Sequence, residues 1–443
     1  MSEQDGSLTG PPAPASARVE ALDALRGFAV LGIFVINIIG FSMPEIAMSD
    51  PAYAGGGPVN DGLWTVAQVY FYGAMRGLFS VMFGAGIVLF TQRAIYPDGP
   101  IRVADLFYRR TIWLVLFGLI HGFVLLMPGD ILLIYGLAGL FLFPFRILTP
   151  GKLLCGAVVA MAFLLATVIP QEYAEYRLGG DAMALEAALE DGETLTEDEQ
   201  AIVDDWSDNI APPTDEEIAA MIGARTGDLA TLYETNAEAV ADANGSYSLV
   251  WWGIDAAMMM LIGMALYKWR IITAERSLKF YFLMMAIGYG AALPARCWML
   301  WTRWDADFSP ILWLPWAVDQ PVRVILTMGH IGLFFVLWKL AASSLPMRAF
   351  GCAGRMALSN YIGQTLICGI LFTGVGFGLY GQFDLAQVYS IMFAVWIAQL
   401  SFSLWWLSRF RFGPLEWVWR SLTYWRRQPF RKGITPADKG IAV

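Results

Sequence analysis

Apolar residues recur along this chain in runs of about twenty, separated by shorter polar turns. Ten runs are read, over 22–42, 74–94, 107–127, 130–148, 151–169, 247–267, 276–296, 321–341, 357–378 and 386–408. Such runs match the hydrocarbon thickness of a bilayer when helical. Hydrocarbon offers backbone N–H and C=O groups no partner but one another, so each run is predicted to be α-helical. The pattern feeding the second run begins near Leu63, too early for one crossing, which predicts an interfacial or broken segment over 62–73. The Trp- and Pro-rich stretch 310–320 reads as an interfacial shelf. The predicted fold class is all-α, a polytopic membrane protein with about ten transmembrane helices.

Composition agrees and adds an orientation. Hydrophobic residues make up 57% of the 443 and charged residues 15%, against roughly 25% charged in a soluble domain. The net charge of −9 is unevenly spread: between Gln171 and Ser246 stand 20 Asp/Glu against two Arg, and the remainder of the chain is basic. The bulk acidity argues against nucleic acid as a partner. Lys and Arg gather in alternate loops and in the tail, and loops 43–61, 128–130 and 379–385 carry none. The positive-inside rule then places both termini in the cytoplasm and the acidic stretch outside the membrane.

The expected organisation is a disordered cytoplasmic tail (1–21), helices one to five (22–169), an acidic extracytoplasmic helical insert (170–246), helices six to ten (247–410) and an amphipathic basic cytoplasmic tail (411–443). With no basic run before it, the first span reads as an uncleaved anchor. Thr196…Glu199 and Thr214…Glu217 fit capping boxes, predicting two or three short helices in the insert. The insert reads as a solvated cap or as a lid that selects by charge. The final tail interleaves Trp417, Trp419 and Trp425 with Arg420, Arg426 and Arg427, a pattern suited to the anionic leaflet. Membrane lipids are therefore expected partners, and a homo-oligomer is compatible with the sequence.

Ionisable groups within spans cost about 2.5–3.5 kcal/mol each on insertion scales, so each is a candidate for function. Asp23 and Arg26 stand three apart near the start of the first span, as a local ion pair or as a clamp for a donor phosphate. His121 and Asp130 flank the Pro128-Gly129 turn, and a tight helical hairpin keeps them on one side of the membrane. A carboxylate that fixes an imidazole tautomer suits general-base chemistry, and a structural histidine is the other reading. His330, between glycines in the eighth span, reads as a packing residue or a second proton carrier. Arg76 and Asp255 need partners from other helices, one another among them. Arg296, Arg303 and Arg323 break the positive-inside pattern, and Asp305, Asp307, Asp319, the insert or an anionic lipid group would balance them. The sequence contains no G-x-x-x-x-G-K-[ST] phosphate loop, no H-x-x-x-H or C-x-x-C metal spacing and no G-x-S-x-G elbow.

Six segments, DALRGFAVLGIFVIN (23–37), GLFSVMFGAG (77–86), RRTIWLVLFGLIHG…GDILLIYGL (109–137), MLIGMALYKW (260–269), GRMALSNYIGQTLI (354–367) and FGPLEWVWRSLTYW (412–425), resemble the YeiB-like family of bacterial inner-membrane proteins, a domain of unknown function. That family distantly resembles the transmembrane acyltransferase superfamily, of the acyltransferase-3 and heparan glucosaminide acetyltransferase type, through D-x-x-R-G at Asp23, Arg26 and Gly27 and a ten-helix plan. The resemblance implies transfer of an acyl group from cytoplasmic acyl-CoA, a co-substrate and not a resident cofactor, to an envelope lipid, glycan or small molecule. Many acyltransferase-3 proteins carry a histidine near the outer end of the first span, where the nearest polar residue here is Asn37. Either His121 takes that role or the chemistry differs. The expected assignments are His121 and Asp130 as catalytic, Asp23, Arg26 and Arg76 as donor-binding, and Asp255, Arg296, Arg323 and His330 as acceptor-binding, with no metal. The alternatives are a proton-coupled transporter using His121, Asp130 and Asp255, or a non-catalytic membrane partner docking through the insert.

Overall fold

A computed structural model describes residues 15–432 apart from 94–98, 128, 210–211, 244, 307, 309–313 and 315–316. Residues 1–14 of the first tail, most of the 310–320 shelf, Pro128, Asp307 and the end of the basic tail lie outside the described residues. The rest is helical, with one isolated bridge between Phe410 and Arg431. Seven helical segments among the described residues are long and apolar enough to cross a membrane. Two shorter apolar helices cover 131–147 and 357–372. A further 25-residue helix, Gly99–Phe123, corresponds to the third expected span. The chain is an all-α, multi-pass membrane protein.

Helix α1 (Ala15–Ser42) leads to two short 3₁₀ turns and then to α2 (Gly57–Val66). A single π turn (Ala67–Phe71) and a break at Tyr72-Gly73 separate α2 from α3 (Ala74–Arg93), so the segment over 62–73 is broken as its length demanded. Gly73 has φ +69°, and a Cβ there would stand 2.4 Å from Arg323 Cδ. The turn needs a left-handed residue, and its neighbour leaves no room for a side chain. Helices α4 (Gly99–Phe123) and α5 (Ile131–Leu142) form the tight hairpin. A Cβ on Gly118 would meet Leu133 N at 2.3 Å, so the two backbones touch across the pair.

Helix α6 (Pro150–Glu190) continues beyond the fifth apolar run, through Pro170 and into the acidic stretch. Proline removes one backbone bond, and the following Ala-, Leu- and Glu-rich stretch has enough helix propensity to continue. Three short helices follow, α7 (Glu197–Asn209), α8 (Asp215–Thr226) and α9 (Leu229–Ala243). Thr214 and Glu217 close a reciprocal capping box at the start of α8.

The second half comprises α10 (Ser246–Lys268), α11 (Leu278–Asp305), α12 (Asp319–Ala341), α13 (Leu345–Arg355), α14 (Ala357–Phe372), α15 (Leu385–Arg409) and α16 (Pro414–Tyr424). Glycines set the close crossings. Cβ atoms on Gly84 of α3 and Gly263 of α10 would each lie 2.0 Å from the other helix's carbonyl oxygens. Gly288 of α11 meets Gly329 of α12 in the same way, at 2.6 Å. Without a hydrophobic driving force between helices in lipid, such backbone proximity supplies much of the association energy.

Helix α16 does not lie apart from the bundle. Trp419 donates from Nε1 to Arg110 O of α4 at 2.8 Å, and Arg110 sits over the Trp419 ring at 4.4 Å. Glu416 caps α14, accepting from Leu358 N at 2.8 Å, Ser359 N at 3.0 Å and Ser359 Oγ at 2.5 Å. A carboxylate at a helix N-terminus satisfies orphan donors and complements the dipole. Burial nevertheless pushes the Glu416 carboxyl above its ordinary 4.5, with these hydrogen bonds pulling it back. The folded chain thus holds this proton more tightly than the unfolded chain does. The site's contribution to stability is greatest below pH 4.5 and declines as the pH rises through the folded value. Glu416→Gln is expected to flatten that slope in thermal melts taken across pH. Glu416→Ala, which strands the capped donors, is expected to cost about 2 kcal/mol throughout.

Candidate functional site

A cavity of about 1030 Å³ opens among α1, the Tyr72-Gly73 break, the α4–α5 turn, α10, α12, α14 and the insert. Two polar clusters reach it.

The first is a three-residue relay. His121 Nδ1 stands 2.6 Å from Asp130 Oδ1, and its Nε2 stands 2.8 Å from Thr365 Oγ1. The Asp130 carboxylate accepts a hydrogen bond from Nδ1–H, which leaves Nε2 to accept from the threonine hydroxyl. Asp130 is the N-cap of α5, and its Oδ2 accepts from Leu133 N at 3.0 Å. Tyr361 OH donates to Oδ1 at 3.4 Å, and its ring lies edge-on to the imidazole at 5.1 Å. His121 is 0% exposed and Asp130 2%, so neither touches the cavity; Thr365 does. Among the described residues the imidazole is linked to the cavity through the Thr365 hydroxyl. Nothing singled out Thr365 in the sequence. The available signal is the polar face Asn360, Tyr361, Gln364, Thr365, spaced by i+4 in an otherwise apolar helix.

The second is a charge cluster at the broken helix. Arg323, 1% exposed, donates to both oxygens of Asp255, from NH1 at 3.2 Å and from NH2, and also reaches Gln320. Arg76 NH2 lies 3.4 Å from Asp255 Oδ2, and its guanidinium carbon stands 4.0 Å over the Trp252 ring. Arg323 was expected to pair with an outer-loop acid or the insert. It is instead buried against α10, because the α12 face that bears it packs over Gly73, where no side chain intervenes. Arg296 pairs with Asp319 at 2.7 Å, within the expected set.

The break explains two further residues. Its freed carbonyls need donors that hydrocarbon cannot supply. His330 Nε2 lies 2.6 Å from Tyr70 O, and Arg296 NH2 adds a donor at 3.3 Å to Tyr72 O, which also accepts from Ala74 N at 2.8 Å. His330 Nδ1 accepts from Tyr289 OH at 2.8 Å. Both ring nitrogens are therefore occupied, and the residue is absent from the cavity wall.

Asp23 and Arg26 pair with one another at 2.9 Å, three residues apart. They do not meet Arg76 or the cavity, whose α1 wall begins at Ile33 and includes Asn37. The expected donor set is thus divided between the two ends of α1. Among the described residues no three His, Cys, Asp or Glu side chains are grouped to hold a metal ion.

The family model "Protein of unknown function (DUF418)" matches residues 266–426. The chain is 32% identical to the Escherichia coli K12 "Uncharacterized protein YeiB" over 418 residues, covering 91% of this chain and 95% of the relative. It is 28% identical to the Bacillus subtilis "Uncharacterized protein YxaH", covering 95% and 98%. It is 26% identical to a Bacillus acidopullulyticus 39.9 kDa protein from the amylase 3' region, covering 94% and 97%. No solved structure matches the chain.

Proposed function

Given that the chain belongs to the YeiB-like family of multi-pass membrane proteins, we propose that it is a membrane-embedded acyltransferase working at the Thr365 wall of the cavity. The observation that carries this reading is the Asp130–His121–Thr365 relay, with two short hydrogen bonds ending on a hydroxyl at the cavity surface. A buried carboxylate–imidazole–hydroxyl chain is a device for moving a proton.

In the proposed step an acceptor O–H donates to Thr365 Oγ1, and Thr365 passes its own proton to His121 Nε2. The acceptor oxygen bonds to the acyl carbonyl carbon while the thioester C–S bond breaks, and the imidazolium returns its proton to Thr365 Oγ1, which gives up the acceptor's proton to the leaving thiolate. Asp130 stabilises the transient imidazolium. The proposed donor is acyl-CoA from the end that holds Asp23 and Arg26. An acyl arm from Arg26 has to reach roughly 10 Å along α1 to meet the cavity wall at Ile33.

Purified protein in liposomes, given radiolabelled acetyl-CoA and a membrane extract, tests this. Label is expected in a lipid, glycan or small-molecule fraction, with Thr365→Val reducing the rate about a hundredfold. No transfer by the wild type across acyl-CoA chain lengths would overturn the reading. A second reading, a proton-coupled transporter, draws on the Arg76–Asp255–Arg323 cluster, since charges inside a span mark substrate pathways. It predicts substrate accumulation in sealed vesicles that a protonophore abolishes.

A further inference from the structure

The cavity wall carries a guanidinium whose donors are uncommitted. The Arg76 side chain is 25% exposed and, among the described residues, its guanidinium makes no hydrogen bond, the nearest carboxylate oxygen being Asp255 Oδ2 at 3.4 Å. Asp255 is shared unequally: each of its oxygens accepts from Arg323, whereas Arg76 stands in ion-pair range without a hydrogen bond. Arg323 Nε is itself buried without a partner. The cluster of Arg76 and Arg323 about Asp255 holds one positive charge in excess, within a lining where Arg76, Arg225 and Arg323 stand against Glu45, Glu172 and Asp319.

Arg76 is also held in place. Its ring contact with Trp252 sets the plane of the guanidinium. Its carbonyl accepts from Tyr135 OH at 3.1 Å and Ser80 Oγ at 3.0 Å. Tyr135 lies on α5, the helix that Asp130 caps, so one helix supports both the relay and the cation. A fixed, partly desolvated guanidinium with free N–H groups suits an oxyanion, which it can bind with two parallel hydrogen bonds.

The rest of the wall says which oxyanion. Leu366 and Ile370 of α14 line the cavity and are 47% and 57% exposed. They give the cavity an exposed apolar side beside the cation. A ligand with an anionic head and acyl chains would satisfy both surfaces at once.

We propose that Arg76 binds the phosphate of an anionic membrane lipid in this cavity, with Asp255, Arg323 and Trp252 as positioning residues. The proposal deepens the transfer reading by naming the acceptor class presented to Thr365. Its test measures binding without turnover, so either can fail alone.

The experiment is thermal unfolding of the detergent-solubilised full chain titrated with dioleoyl phosphatidic acid, dioleoyl phosphatidylcholine or inorganic phosphate. Phosphatidic acid is expected to raise the melting temperature where phosphatidylcholine does not. Arg76→Gln is expected to weaken that effect at least about tenfold. Arg76→Lys, which keeps the charge and loses the fork, is expected to fall between the two and stands in if Arg76→Gln does not fold. Equal protection by both lipids, or unchanged binding in a folded Arg76 variant, overturns the proposal. Equal protection by inorganic phosphate assigns the oxyanion to a soluble ligand and overturns the lipid assignment.

Discussion

His121→Ala is expected to lower acyl transfer by between about 10² and 10⁴ while the protein still reaches the membrane folded. Among the described residues the imidazole is the one basic group hydrogen-bonded to Thr365 Oγ1, placed to take its proton. Folding should survive because Asp130 keeps its contacts with Leu133 N and Tyr361 OH. Asp130→Asn is the sharper companion. An amide that presents its NH₂ group to Nδ1 forces the proton onto Nε2, where it can no longer accept from Thr365. Activity should then fall as in His121→Ala, with α5 still capped. Comparing initial transfer rates with thermal melts of the same preparations checks both. Wild-type turnover by His121→Ala would refute the relay.

Asp255→Ala should act on stability instead, losing about 3–5 kcal/mol. Asp255 is 2% exposed and sits between the guanidiniums of Arg76 and Arg323. Deleting it leaves Arg323 buried with Gln320 as its remaining side-chain hydrogen-bond partner among the described residues. Loss of the folded species in size-exclusion chromatography, or a melting temperature lowered by many degrees, is the expected outcome. Asp255→Ala combined with Arg323→Met removes both charges and should recover part of the loss, since apolar replacement of a buried pair is tolerated better than halving it. A single variant as stable as wild type would show that the cluster is solvated rather than desolvated.

Several features of the site were within reach of sequence arguments for local reasons. His121 and Asp130 meet because one short turn joins their helices. The break before α3 follows from an apolar pattern too long for one crossing. Pairings across the bundle were out of reach. Thr365 lies 244 positions from His121, and no local pattern selects it from the other polar residues of α14. Arg323 was ambiguous among several acids, and only packing over Gly73 commits it to Asp255. His330 resembles a proton carrier until the freed carbonyl of Tyr70 is seen to need it.

The sequence by itself determined that this is an all-α, multi-pass membrane protein. Runs of about twenty apolar residues have one solution in a solvent that cannot hydrogen-bond the backbone. It also determined where charge is anomalous, because every ionisable side chain in such a run stands out against its neighbours. The tertiary structure decided what those charges do: which carboxylate Arg323 meets, which hydroxyl His121 addresses, and that Arg76 rather than Arg26 faces the cavity. Interhelical partners depend on rotation and depth of each helix, which are set by close glycine contacts and interface shape and not by apolar periodicity. The same residues in differently rotated helices would give the same sequence pattern and a different site.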